Sequence, residues 1–257
     1  IEYLKGTFVK LGLEPAWHGS YFQEVPLMSV EVKPDMHSRY ATPSGIIHLD
    51  YVRDFVCFSP RVEDVSVIED AQLVFAGYGI VAPEYGWNDY QGLDVSDKVV
   101  VVIVNDPGFA TGDADLFKGN AMTYYGRWTY KYEEAARQGA LGILIVHDTP
   151  GAGYPWSVVT NGAQIPKMYL QDEQGYADRS KIEGWLTTEA AIRLFGSARL
   201  DFMELKQQAS QRGFRPMHLD IRLQGFSMHK SFRYNVSHNV LGLFPGTDLA
   251  DEVIVYS

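Results

Sequence analysis

Two histidines are each followed two residues later by an aspartate, in His48-Leu49-Asp50 and His218-Leu219-Asp220. On a strand, residues i and i+2 share a face, so each pair offers part of a metal site. Zinc needs three or four converging ligands. The remaining histidines, His18, His37, His147, His229 and His238, are scattered singly, with no H-x-x-x-H. The expectation is hydrogen-bonded strand histidines, with no metal ligand assigned in this chain. Gly77-Tyr78-Gly79-Ile80-Val81-Ala82 fits the G-x-G-x-x-A dinucleotide form. That chemistry needs the motif to open a helix whose N-terminus holds pyrophosphate. Pro83 and Gly86 follow at once, so the glycines are expected to serve a bulge or tight turn. Glu133-Glu134 are expected in the first turn of a helix, where acids suit the dipole. No G-x-S-x-G is present, and Cys57, the only cysteine, lies in an apolar run. A nucleophilic hydrolase is therefore poorly supported, and no catalytic residue is assigned.

One further block is chemically unusual. Gly108-Phe109 and Tyr124-Tyr125-Gly126-Arg127-Trp128-Thr129-Tyr130-Lys131-Tyr132 interleave aromatic rings with two cations. Such a block can form a ligand-facing surface, by stacking or by binding carboxylates. It can equally be a packed hinge with Arg127 paired to an acid. Composition leaves both readings open. Asn235-Val236-Ser237 matches a glycosylation sequon by pattern only.

The elements that must position these residues come from a chain of 257 residues with a net charge of −10 and 46% hydrophobic residues. That length and composition suit a folded chain with a full core. The acidic balance argues against nucleic acid as a partner, since phosphate binding needs a basic face. No apolar run reaches the length of a membrane helix. A single cysteine excludes an intrachain disulfide framework and a thiolate-rich metal site. The first residues lack a Met and read like the interior of an element, as expected of a processed or trimmed chain, and no signal peptide opens it.

Residues 3–11 have roughly helical spacing, with Gly12 as the stop. Residues 21–32 read as a strand that Pro26 interrupts, suggesting an edge or a bulge. From 46 to about 103 the signals are short and β-like, at 46–49, 55–58, 73–76 and 99–104, as in a sandwich or barrel. The period then changes. Residues 130–138 read as a helix stopped by Gly139, 141–146 as a strand, 189–195 as a helix capped by Thr188, 200–209 as a helix and 221–232 as a β segment. The last stretch reads as two strands, 239–244 and 252–256, about Pro245-Gly246. Val253 to Tyr256 is continuously apolar, which suits a strand buried on both faces.

Three stretches together resemble one family. Ala76-Gly77-Tyr78-Gly79-Ile80-Val81-Ala82-Pro83, followed by Trp87-Asn88-Asp89-Tyr90, looks like the opening of the protease-associated domain inserted in zinc aminopeptidases of the M-twenty-eight peptidase family. Tyr125-Gly126-Arg127-Trp128-Thr129-Tyr130-Lys131-Tyr132-Glu133-Glu134-Ala135-Ala136, running into Gly139-Ala140 and Val146-His147-Asp148, resembles the middle of that domain. Asn239-Val240-Leu241-Gly242-Leu243-Phe244-Pro245-Gly246 with Asp251-Glu252-Val253-Ile254-Val255-Tyr256-Ser257 is similar to the strand pair that re-enters the peptidase domain. Gly12-Leu13-Glu14-Pro15 and Tyr21-Phe22-Gln23-Glu24-Val25 look like the family's N-terminal helix and first strand.

The resemblance implies a mostly β fold with a few α-helices (α+β): a protease-associated domain, β-barrel or sandwich-like with flanking helices, plus flanking strands of a truncated peptidase domain. It implies peptidase-domain segments at 1–45 and 234–257 around an inserted domain at 46–233. In the family, a strand ending like Val255-Tyr256-Ser257 leads into the H-x-D that supplies the first zinc ligands, so this chain would stop just before them. Two zinc ions are implied for the intact parent and none for this chain. The implied parent is exported, periplasmic or secreted, and cleaves N-terminal residues from peptides. This chain would be its non-catalytic substrate-access portion, inactive alone, meeting peptide through the missing peptidase domain. Arg127, Trp128, Tyr130 and Lys131 are the candidate substrate-facing residues. Protease-associated domains also occur in receptors, so a non-catalytic binding module is the alternative. A free-standing carbohydrate-binding protein with aromatic platforms is a third reading.

Overall fold

The computed structural model describes residues 1–249 and 251–256. In chain order its elements are α1 (Glu2–Lys10), β1 (Glu14–Pro15), β2 (Phe22–Pro34), β3 (His37–Thr42), β4 (Gly45–Asp50), β5 (Phe55–Phe58), β6 (Val65–Phe75), β7 (Val81–Ala82), β8 (Trp87–Asn88), β9 (Val99–Ile103), α2 (Pro107–Thr111), α3 (Trp128–Arg137), β10 (Gly142–His147), α4 (Thr149–Ala152), α5 (Trp156–Ala163), β11 (Lys167–Leu170), β12 (Ile182–Thr187), α6 (Thr188–Ser197), α7 (Phe202–Ala209), β13 (Met217–Val240) and β14 (Gly242–Leu243). No helix among the described residues is long and apolar enough to cross a membrane.

The chain forms two compact units. One comprises Ile1–Ser29, Met168–Gln171 and Arg233–Ser257; the other comprises Val30–Lys167 and Asp172–Phe232. In the first, α1 ends where Gly12 turns to φ +77°, and β1 pairs with β14. Pro26 lies inside β2, where its carbonyl accepts from Gln171 N–H at 3.0 Å. Proline has no N–H to give, but its acceptor is intact, so it serves the side of the strand that receives bonds. The apolar run 253–256 forms no strand, and its side chains are 71–93% exposed. A continuously apolar segment becomes a buried strand only beside partner strands; among the described residues none pairs with it. Ser257, the last residue of the stretch likened to the family's strand pair, lies outside the described residues.

The second unit has a parallel centre. β6, β9, β10 and β12 run parallel, β5 flanks β12 antiparallel, and β13 flanks β6 antiparallel. β3 pairs with β13 and β4 with β3. β9 explains the layering, because all its residues are buried. Val99, Val101 and Ile103 pack with Phe75, Leu144, Leu194 and Phe195, under α6 and α7. Val100 and Val102 pack on the other face with Ile143, Ile145, Tyr132 and Ala135, under α3 and α5. Helices therefore cover both faces, as parallel strands require.

The mixed α+β class agrees with the sequence. The sheet is open, however, and not a closed barrel. β4 and β5 are joined by a short turn and meet through one bridge, Tyr51–Phe55, with no ladder. Three local expectations change. Thr187, not Thr188, caps α6, its side chain accepting from Ala190 N–H at 3.1 Å. Glu133 and Glu134 lie in the middle of α3, not its first turn, because the helix starts at Trp128. Glu134 is buried and accepts from Arg137 at 2.7 Å and Gln138 at 2.8 Å, so it fastens the helix end instead of serving the dipole. β13 extends well beyond 221–232. Its buried positions switch from Leu219, Ile221 and Leu223 to Phe226, Met228 and Lys230 at Gly225, whose φ is +60°. That phase change hides its length from a period-two reading.

Candidate functional site

In sheets of this kind the carboxyl ends of parallel strands collect loops and ligand sites. Here those ends carry Gly77-Tyr78-Gly79 after β6, Asn105-Asp106 after β9 and His147-Asp148 after β10. Gly77 and Gly79 both have positive φ, and Gly79 N–H donates to Ala76 O at 2.6 Å. This is the tight turn read from the sequence; only a three-residue 3-10 turn, Pro83–Tyr85, follows it. Asp106 caps α2 through Phe109 N–H and accepts from the backbone and hydroxyl of Thr123. Asn105 donates to Gly151 O at 2.7 Å. Asp148 pairs with Lys206 at 3.0 Å, and Thr188 donates to His147 O at 2.7 Å.

Asp89 lies in the same region and is buried, accepting from Ile80 N–H at 3.0 Å and Trp87 Nε1 at 2.8 Å. Lys131 is fully buried; its Nζ has no hydrogen-bond partner and lies 5.8 Å from the Tyr78 ring centre. Burial pushes the Lys131 ammonium down and the Asp89 carboxyl up, while their mutual attraction opposes both shifts. Asp89 is thus held by a backbone and an indole N–H, and Lys131 is held near it by charge attraction alone. Asp89, Asp106 and Lys131 are all buried from solvent.

The four candidate residues therefore separate. Tyr130 is buried and its hydroxyl is bonded to Val81 at both backbone atoms, 3.1 Å each. Lys131 joins it inside. Arg127 and Trp128 are at the surface, and the Arg127 guanidinium has no ion pair or hydrogen bond among the described residues. The helical period causes the split. Trp128 and Tyr132, four apart, lie toward Phe58 on the sheet, with ring centres 6.5 and 5.5 Å from it. Tyr130 and Glu134 share another stripe, with Tyr130 Oη 3.4 Å from Glu134.

Trp128 stands at an open groove of about 300 Å³ between α3 and α5. Its floor is Phe58 on β5 and Trp185 on β12; its walls are Trp128, Tyr154, Val158, Val159, Gly162 and Ala163. Lys167 contributes the one charged group, with Nζ 5.5 Å from the Phe58 ring centre. Desolvation holds its ammonium below the ordinary lysine value. The walls are braced from behind. His147 Nε2 bonds to Tyr154 O at 3.0 Å, and its ring lies 5.5 and 6.1 Å from those of Trp156 and Trp185. Trp156 Nε1 donates to Val52 O at 2.9 Å, pinning the start of α5. A groove of this volume and lining accepts an apolar or aromatic group beside an anion.

No protein-family model matches the chain, and no curated protein matches it. Solved structures do. It is similar to an aminopeptidase from Aneurinibacillus sp. strain AM-1, at 15% identity and a TM-score of 0.41, over 96% of this chain and 42% of that one. It is also similar to BSAP, a zinc aminopeptidase from Bacillus subtilis, at 12% identity and a TM-score of 0.31, over 95% of this chain and 40% of that one. The chain thus spans less than half the length of either.

The residues present do not fit a zinc centre. No three His, Cys, Asp or Glu side chains converge among the described residues. His48 is exposed on β4, and Asp50 is engaged by His37 at 2.7 Å and Arg53 at 2.6 Å. His218 and Asp220 point outward from β13 while Leu219 is buried. Cys57 is buried and its thiol is pushed up by desolvation. Sequence reasoning missed Phe58, Tyr154, Gly162, Lys167 and Trp185 as groove residues. The alternation Glu183, Trp185 against Gly184, Leu186 was the available sign of β12; Lys167 left no local sign.

Proposed function

We propose that this chain is the non-catalytic, substrate-access portion of an exported, zinc-dependent aminopeptidase that removes N-terminal residues from peptides, and that the groove between α3 and α5 holds part of the peptide. The observation that carries this reading is the groove itself. Aromatic rings from β5, α3 and β12 line one groove that holds a single ammonium, Lys167, with Phe58 beneath it, and no acid is among the lining residues. Such a site binds an apolar group and performs no chemistry. The sequence resemblance supplies the parent reaction, whose two zinc ions would be held outside this chain.

The test has two parts. Trp128 and Trp185 line the groove, so short apolar peptides should change the tryptophan fluorescence of the chain saturably; an unchanged spectrum at millimolar peptide refutes the reading. In the intact enzyme, Trp128→Ala should raise KM for peptides several-fold with kcat little changed, because its interaction is made equally with substrate and transition state. Arg127→Ala, which removes an unpaired surface cation, should shift KM in the same direction. The same lining supports a second reading, a protease-associated binding module of a receptor-like protein. Under that reading peptides bind as before, but the intact protein turns over no aminoacyl substrate.

A further inference from the structure

Lys167 is a half-buried cation without a counter-ion. Among the described residues no carboxylate or other acceptor meets its Nζ, and its contact is with the face of Phe58. A partly desolvated charge of this kind is unfavourable unless something compensates it. The acids on the lining elements are already engaged. Glu183, two residues before Trp185 on β12, is held by Arg179 at 2.7 Å, and Glu133 on α3 accepts from Tyr124 at 3.0 Å. Space beside the ammonium is also kept open. Gly162 lies inside α5, where glycine weakens a helix relative to alanine. A Cβ there would sit 3.4 Å from Lys167 Nζ.

We propose that Lys167 receives the C-terminal carboxylate of a short peptide whose last side chain is apolar and lies between Trp128, Phe58 and Trp185. This rests on the peptide-binding reading of the groove and names the end of the peptide that enters it. The chemistry favours a C-terminus over an acidic side chain. A C-terminal residue carries its carboxylate and its apolar group on one carbon, so both reach a compact site together. An aspartate or glutamate brings a carboxylate with no apolar body. A groove of about 300 Å³ also lies at the small end of ligand sites, with room for a residue or two. If the parent trims N-termini, holding the other end would favour peptides whose length spans the two sites.

Calorimetric titration of the chain with tripeptides ending in phenylalanine, as free acid and as C-terminal amide, tests this. The acid should bind about tenfold more tightly than the amide, as one charge-assisted contact allows. The gap should close in Lys167→Gln and persist in Lys167→Arg, which keeps the cation. Equal binding of acid and amide to the wild type overturns the carboxylate role and leaves the groove reading standing. An acid preference that survives in Lys167→Gln overturns it too, by placing the carboxylate elsewhere. Failure of both peptides to bind, with tryptophan fluorescence unchanged, overturns the groove reading and this inference together.

Discussion

Gly79→Ala should destabilise the larger unit severely, for reasons visible at one turn. Gly79 has φ +64°, a region that costs an L-residue roughly 1–2 kcal/mol. An added Cβ would lie 2.7 Å from Val102 Cγ1 and 3.3 Å from Tyr90 Oη. Neither neighbour can step aside. Val102 is buried in the central strand β9 among Val100, Ile143 and Ile145, and Tyr90 is buried too. Overpacking of a filled core adds about 1–3 kcal/mol. The two effects together come to roughly 2–5 kcal/mol, a large share of the total stability of a folded domain. For a chain of this size that lowers Tm by about 5–15 °C. Gly196→Ala is the control in the same unit. It is a helical glycine in α6 with nothing within 4 Å of its added Cβ, and should raise stability by up to about 1 kcal/mol. Thermal melting followed by circular dichroism measures both. A Gly79→Ala protein that melts within about 2 °C of wild type would refute the argument. So would a variant that melts normally but loses affinity for a dinucleotide, since the glycines would then serve a cofactor and not a turn.

Asp89→Ala should cost about 3–5 kcal/mol, because it strands the buried Lys131 ammonium and the donors of Ile80 and Trp87. Lys131→Met removes a cation that already lacks a hydrogen bond and should cost less than half as much in urea unfolding; the reverse order would refute the account of the pair. Asp54 is raised by burial, but Arg53, the Asp50 N–H and Arg193 outweigh this and hold its carboxyl below the usual range. Its contribution is therefore present above the ordinary carboxylate pKa and lost as pH falls through the lowered one, so Asp54→Asn should flatten the acid limb of Tm against pH and leave its neutral region parallel to wild type.

What the sequence made legible follows from how local each signal is. The strands at 99–103 and 142–147 are runs of β-branched and aliphatic residues, and burial on both faces leaves no polar interruption to blur them. Gly12 and Gly139 mark helix ends by their own backbone needs, with φ of +77° and +83°. Elements whose stability comes from tertiary packing were not legible. α5 carries no charged residue and is fastened by Trp156 bonding to Val52, far away in sequence. β3, with its alternating exposed and buried residues at 37–40, depends on pairing with β13 and β4. The apolar run at 253–256 erred in the other direction, because hydrophobicity alone carries no information about a partner.

The candidate site shows the same limit on a smaller scale. The aromatic block at 124–132 admitted a ligand surface or a packed hinge; in the structure Arg127 and Trp128 are at the surface, Arg127 pairs with no acid among the described residues, and Tyr130 and Lys131 are buried. Trp128 and Tyr132, on one stripe of α3, meet Phe58 edge-to-face, and Trp128 opens on a groove, while Tyr130 and Lys131 close onto the loop after β6. A composition count cannot divide these roles, because the division is made by a rotation of about 100° per residue along a helix. The rest of the groove is assembled from β5, β12, α5 and Lys167, segments as much as 127 residues apart from Phe58 to Trp185. Lys167 illustrates the consequence. In the sequence it is one lysine among ordinary neighbours, Pro166 and Met168. Its lack of a counter-ion exists only once β12 has given Glu183 to Arg179 and α3 has given Glu133 to Tyr124. The vacancy that makes it a receptor for an anion is therefore a property of the fold, and substitutions that free those acids test it. Arg179→Ala would release Glu183, and any new pairing of that acid with Lys167 should weaken binding of the free-acid peptide while leaving the amide unaffected.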